Sequence, residues 1–219
     1  MEFLALETAD GSLTYQHPKH GASYRSLRGA ETESRWVFLQ GSRIAQRPSP
    51  WNVLELGFGS GLNFRLTAQA AALAQVSLNY VSMEPEPMPS SLWLVEDHWK
   101  NPEWGRPSSS GGLCLTVHHC RWQDWSPDEG TFDAVYFDPF GPAVAPDCWS
   151  LDCFRWAHLA LKSDGVLATY GASSAARQAM RGAGLQVGIL PGAPGKREMT
   201  VASPSLDGLA QAKLWKPLQ

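Results

Sequence analysis

The sequence predicts an α/β fold, a doubly wound and mostly parallel sheet with helices on both faces. Three observations predict it. Short apolar runs bounded by turn residues recur between residues 52 and 203 and alternate with stretches of helical periodicity. The first run ends in a glycine-rich turn, Gly57-Phe58-Gly59-Ser60-Gly61, that opens onto a helical stretch at Leu62. The last two runs are joined only by Pro191 to Lys196, too short for a crossover helix, so they must pair antiparallel.

In chain order, residues 1–50 form an extension packed on the core, and residues 51–219 form the main unit. Within the extension, Glu7 to Gln16 reads as a hairpin around Asp10-Gly11, a pair suited to the positive φ angles of a type I′ turn. Trp36 to Gln40 reads as a short helix. Strands are expected at 52–57, 77–83, 113–119, 132–138, 165–171, 185–190 and 198–203, giving a seven-stranded sheet with its last strand antiparallel. Helices are expected at 62–75, 86–99, 147–162 and 173–183. Asn101 to Gly112, rich in Pro, Ser and Gly, reads as a mobile surface loop. No repeat or second domain is visible.

Composition bounds the function classes. With 219 residues, 43% of them hydrophobic, the chain can bury one sizeable core. No run approaches the roughly 18–20 apolar residues that span a bilayer. The first twelve residues carry acids and no basic stretch, unlike a secretory signal. A cytoplasmic protein without a membrane partner is expected. Cys114, Cys120, Cys148 and Cys153 contain no C-x-x-C pair, so reduced thiols and no metal are expected. A net charge of −3 gives no global signature of nucleic-acid binding. Local basic clusters occur at Arg25/Arg28, Arg43/Arg47, Arg177/Arg181 and Lys196/Arg197.

Ligands of such sheets bind at the carboxyl ends of the strands, where the strand order reverses. The turn after the first strand lets a ligand approach bare backbone. Its glycines fall as G-x-G-x-G after Glu55, not as the G-x-G-x-x-G of dinucleotide sites, and this spacing is more often seen around S-adenosylmethionine. Gly57, Phe58, Gly59, Gly61 and Asn63 are therefore candidate cofactor contacts together with Glu55. Glu84 ends the second strand, where a carboxylate can accept from both hydroxyls of a ribose. Asp124 follows the third strand and is placed to accept from an adenine amine. Asp138 ends the fourth strand in Phe137-Asp138-Pro139-Phe140-Gly141-Pro142, a loop stiffened by two prolines.

Four segments, LELGFGSGLNF, YFDPFGPAVAPDCW, LATYGASSAARQAMRGAGLQV and PGAPGKREM, resemble in order and spacing the MnmC-like methyltransferase family. The upstream Glu33 to Gly41, ESRWVFLQG, resembles its N-terminal signature, and the likeness runs over roughly residues 20–203. The resemblance implies a Rossmann-like S-adenosylmethionine-dependent fold and methylation of the aminomethyl group of (2-thio)uridine 34 in the tRNA anticodon loop. It also implies Asp138, Pro139 and Phe140 as the catalytic loop, with Trp149, Arg177, Lys196 and Arg197 toward the substrate. The sequence departs from the family where Ala145-Pro146-Asp147-Cys148-Trp149 lacks an asparagine and where Arg177-Gln178 replaces a double arginine. The bifunctional family members carry a further flavin domain. With the sequence ending at Gln219, the expectation is S-adenosylmethionine without FAD or metal, in a monomer. Two alternatives stand beside the tRNA reading: a methyltransferase for a small-molecule or protein amine, and a non-catalytic RNA-binding protein on the same scaffold.

Overall fold

The structure, a computed structural model, describes residues 2–216. The elements are β1 (Leu4–Glu7), β2 (Leu13–Gln16), α1 (Ala30–Ser34) continued by π-helical turns over Arg35–Gln40, β3 (Trp51–Leu56), α2 (Leu62–Ala74), β4 (Leu78–Met83), β5 (Ser108–Ser110), β6 (Leu113–His118), β7 (Phe132–Phe137), α3 (Leu151–Ala160), β8 (Leu161–Thr169), α4 (Ser174–Gly182), β9 (Gln186–Pro191), β10 (Glu198–Ser203) and β11 (Lys213–Leu214). β1 and β2 form a separate antiparallel hairpin. The other nine strands form one sheet in the order β11-β9-β10-β8-β7-β3-β4-β6-β5.

The strands from β8 across to β6 run parallel, while β10, β9, β11 and β5 pair antiparallel. The chain leaves β3 toward β4 and β6, then crosses back to β7 on the opposite side, so a crevice opens between the ends of β3 and β7. All six residues of β7 are buried, as a central strand covered on both faces requires. One face packs Phe64, Ala68 and Ala71 of α2 with Val37 and Phe38 against Val53, Tyr80 and Tyr136. The other packs Phe154 and Ala157 of α3 and Met180 of α4 against Leu54, Val135 and Leu167. α3 and α4 begin at serine caps, Ser150 Oγ accepting from Cys153 N and Ser173 Oγ from Ala176 N, each at 3.2 Å. No described helix is long and apolar enough to cross a membrane.

Five expectations need correction. The sheet has nine strands because β11 and β5 add edges, and β5 lies inside the stretch expected to be a mobile loop, its backbone bonded to β6. The expected helix over 86–99 is absent. Pro85, Pro87 and Pro89 remove donors and hold the chain extended, leaving two 3₁₀ turns at Ser90–Leu92 and Asp97–Trp99. Met88, Trp93, Val95 and Trp99 of this segment are still buried, so apolar content survives where helical periodicity fails. The first helix region reaches back to Ala30 rather than starting at Trp36. In the hairpin, only Gly11 of the connecting loop has positive φ (77°), so the turn is not type I′. Instead the Asp10 carboxylate accepts from Thr8 Oγ1 at 2.7 Å, Ser12 N at 3.1 Å and, across the fold, Thr32 N at 2.9 Å.

Candidate functional site

A cleft of about 560 Å³ opens at the switch point between β3 and β7. Its floor is the glycine turn after β3. Gly57, Gly59 and Gly61 have φ of 93°, 52° and 72°, conformations in which a side chain is strained. A Cβ on Gly57 would lie 2.8 Å from the Asp138 carbonyl oxygen, and one on Gly59 would lie 2.9 Å from the Tyr24 ring. The two strand-end loops therefore approach each other at backbone distance. Glu84 holds the turn from the β4 side, accepting from Gly59 N at 2.9 Å and Glu86 N at 3.0 Å. Burial raises the proton affinity of its carboxylate.

Beneath the floor lies a buried polar cluster. Asn63 Nδ2 donates to Glu55 Oε1 at 2.8 Å and to Asp138 Oδ2 at 3.0 Å, while Arg25 Nη1 pairs with the same Asp138 oxygen. Ser82 Oγ donates to Glu55 Oε2 at 3.2 Å. Burial, and then the neighbouring Asp138 charge, push Glu55 up to about 8; burial pushes Asp138 up to about 7, with the Arg25 guanidinium pulling the other way. Two carboxyls thus share one fixed positive charge.

The loop after Asp138 is braced rather than free. Tyr170 Oη donates to the Pro139 carbonyl at 2.7 Å, and Trp149 Nε1 donates to the Phe140 carbonyl at 2.8 Å. Trp149 itself packs over Gly171, where no side chain would fit. Phe140 faces an aromatic group from the N-terminal segment, with ring centroids 5.1 Å from Tyr24 and 5.7 Å from both His17 and His20.

At the mouth, Glu86 accepts from Lys19 Nζ at 2.6 Å and pairs with His20 Nε2 at 3.2 Å. His17, His20 and Glu86 are the one trio among the described residues with ligand atoms close enough for a metal ion. His17 Nδ1, however, accepts from the N–H groups of Lys19 and His20 at 3.2 and 3.3 Å, which leaves the ring proton on Nε2, the atom facing Glu86. A metal needs a lone pair there, so the trio fits a hydrogen-bonded ion cluster better than a metal centre.

The family profile of an S-adenosyl-L-methionine-dependent methyltransferase matches residues 111–205. The tRNA 5-methylaminomethyl-2-thiouridine biosynthesis bifunctional protein MnmC of Nitrosospira multiformis is 31% identical over 83% of this chain and 34% of its own length. That of Polaromonas naphthalenivorans is 32% identical over 90% of this chain and 35% of its own. The likeness to that methyltransferase family thus lies in residues 111–205, and the relatives extend a likeness over most of the chain. The chain spans about a third of the length of the relatives it matches. The crystal structure of MNMC2 from Aquifex aeolicus shares the fold, with a TM-score of 0.81 at 24% identity, covering 100% of this chain and 73% of that one.

Of the residues singled out from sequence, the fold brings Gly57, Gly59, Glu84, Asp138, Pro139, Phe140 and Lys196 to the cleft. Glu55 and Asn63 lie fully buried behind it. Phe58 turns into the core against Trp93 at 4.6 Å, and Gly61 is small because Phe58 and Val95 crowd it, so both serve packing. Asp124 is exposed and its neighbours Arg121, Trp122 and Gln123 line the wall instead. Arg177 does not reach the cleft: it is buried, donating to Thr200 Oγ1 and Glu198 Oε1, each at 3.0 Å. Trp149 braces the loop from behind, and Arg197 is exposed beside Lys196. Sequence reasoning missed Tyr24, Arg25, His17 and Tyr170. Tyr170 follows a strand end and the strand-end rule reaches it; nothing in local pattern ties residues 17–25 to a loop more than a hundred positions away.

Proposed function

We propose that this protein is a methyltransferase that transfers a methyl group from S-adenosylmethionine to the primary amine of 5-aminomethyl(-2-thio)uridine 34 of tRNA, giving 5-methylaminomethyl(-2-thio)uridine. One observation carries the reading: Asp138, Pro139 and Phe140 present a carboxylate, a carbonyl and an aromatic ring on a braced loop, at backbone distance from the glycine turn. The names of the relatives, proteins of tRNA 5-methylaminomethyl-2-thiouridine biosynthesis, support the acceptor.

When bound, S-adenosylmethionine supplies a methyl group activated by its positive sulfonium. The residues present fit it. Glu84 keeps lone pairs for ribose hydroxyls beyond the two N–H groups it already accepts. Gly57 and Gly59 offer backbone without side chains, and Gln123 lines the cleft where Asp124 does not. The acceptor amine must be neutral. Asp138 and the Pro139 carbonyl accept its hydrogens and turn its lone pair toward the methyl carbon, and such positioning is worth effective molarities of about 10⁵–10⁸ M in well-oriented cases. The amine nitrogen forms the C–N bond as the C–S bond breaks with its electrons left on sulfur, and the nitrogen then sheds a proton to water. Phe140 stacks on the uracil, a contact worth about 1–3 kcal/mol. Lys19, Arg121 and Lys196 at the cleft, with Arg197 beside it, hold phosphates.

A small-molecule or protein amine is the second reading, favoured by the net charge of −3. A labelled-methyl assay separates the two. Label should appear on tRNA bearing 5-aminomethyluridine 34 and not on unmodified tRNA, and Asp138→Ala should abolish it while calorimetry still detects cofactor binding. Label on neither tRNA, with cofactor bound, would move the acceptor to another amine.

A further inference from the structure

The ion pair under the cleft is lopsided. Arg25 and Asn63 both engage Oδ2 of Asp138, and no hydrogen bond to Oδ1 forms among the described residues. Arg25 is itself buried, with its guanidinium carbon 5.4 Å from the centroid of the Phe38 ring. It is fixed by its own backbone: Arg25 N donates to Thr14 Oγ1 at 3.0 Å, and Arg25 O accepts from Ser23 Oγ at 2.9 Å. Such a guanidinium does not deprotonate, so it is a permanent charge at a set position.

We propose that Arg25 is the positioning residue of the acceptor site, opposing burial so that Asp138 can ionise near neutral pH with Oδ1 left to the cleft as a pure hydrogen-bond acceptor. The assignment rests on the amine reading of the cleft. Its chemistry follows from what a protonated Asp138 would do. The acid O–H would donate to the amine nitrogen and occupy the lone pair that must attack carbon. The charged and titratable groups around Asp138 are Arg25 and Glu33 from the segment before and within α1, Glu55 from β3 and Tyr170 after β8. Burial and Glu33 favour the proton on Asp138, and Arg25 opposes them. Removing the guanidinium therefore converts an acceptor into a donor without touching the cofactor's glycine turn.

The test uses the full chain with ¹³C-carboxyl aspartate, the resonance of Asp138 being identified by its loss in Asp138→Asn. In Arg25→Gln the titration midpoint of Asp138 should rise by about one pH unit or more. The acid limb of kcat for methyl transfer should move with it, while the KM for S-adenosylmethionine stays within about twofold. Arg25→Lys, which keeps the charge, should restore most of both and serves where Arg25→Gln does not fold. A midpoint unchanged between wild type and Arg25→Gln or, where that variant fails to fold, an Arg25→Lys midpoint raised to the range expected of an uncharged residue, would overturn the assignment. Should the wild type methylate no aminomethyluridine, the tRNA reading falls, and the carboxyl titration still decides whether Arg25 favours the ionised Asp138.

Discussion

Glu55 is a carboxylate that the protein buries completely and gives only a shared positive charge. Its proton affinity is raised, so the folded state keeps a proton that the unfolded chain has already lost. Stability carried by that difference is fully present below the ordinary carboxylate range and falls as pH climbs from there toward about 8. Glu55→Gln keeps an oxygen for Asn63 and removes the titration. It should flatten the decline in denaturant stability between pH 5 and pH 8 and stabilise the protein at the upper end by an amount on the order of 2–4 kcal/mol. Equal pH slopes for variant and wild type would show that Glu55 ionises freely. The residue was legible as the acid before the glycines, but not its role. Only the fold sets Asn63 between it and Asp138, 75 positions further along than Asn63.

At the scale of elements, the turn between β3 and α2 shows how closely sequence spacing constrains geometry. Gly57→Ala places a methyl group 2.8 Å from a backbone oxygen at a φ of 93°. It should cost about 2–4 kcal/mol, since left-handed strain alone runs to about 1–2 kcal/mol, and it should weaken cofactor binding in calorimetry. Gly111→Ala, at a φ of 58° with open space around it, is the control and should cost only the strain. Similar losses in the two variants would mean that the approach of the Asp138 loop is not tight. The alternation of strands and helices was readable because parallel strands covered on both faces are continuous apolar runs. β5, by contrast, has three serines and is a strand only because the edge of β6 offers it hydrogen bonds. The expected helix over 86–99 failed for the opposite reason, its prolines overriding an apolar content that the core still buries.

On the scale of the whole molecule, charge is the open ledger. A chain with net −3 meets a polyanion only through local cations, and Lys19 is already paired with Glu86. On the proposed tRNA reading, raising salt should therefore raise the KM for tRNA with a modest slope. Replacing Lys196 and Arg197 together by glutamine should reduce the magnitude of that log–log slope by about 1.4–1.8, at roughly 0.7–0.9 per phosphate contact. An unchanged slope would take this loop out of the substrate path. Lys196 was readable as a candidate; the lining by His17, Tyr24 and Arg25 was not, since no local period links a segment before the sheet to its switch point.

The N-terminal segment is also stitched to the far end of the sheet: Arg28 donates to the Gly195 carbonyl at 2.7 Å and Trp36 to the Pro191 carbonyl at 2.8 Å. Those bonds join residues separated by more than 150 positions. On the ribosome, at about 5–20 residues per second, the first wall of the cleft emerges many seconds before the loop that anchors it. The pocket is then a late product of synthesis, assembled after the central strands it sits on. Until residue 195 emerges, a nascent chain carries Asp138 without the complete enclosure that surrounds it in the folded protein.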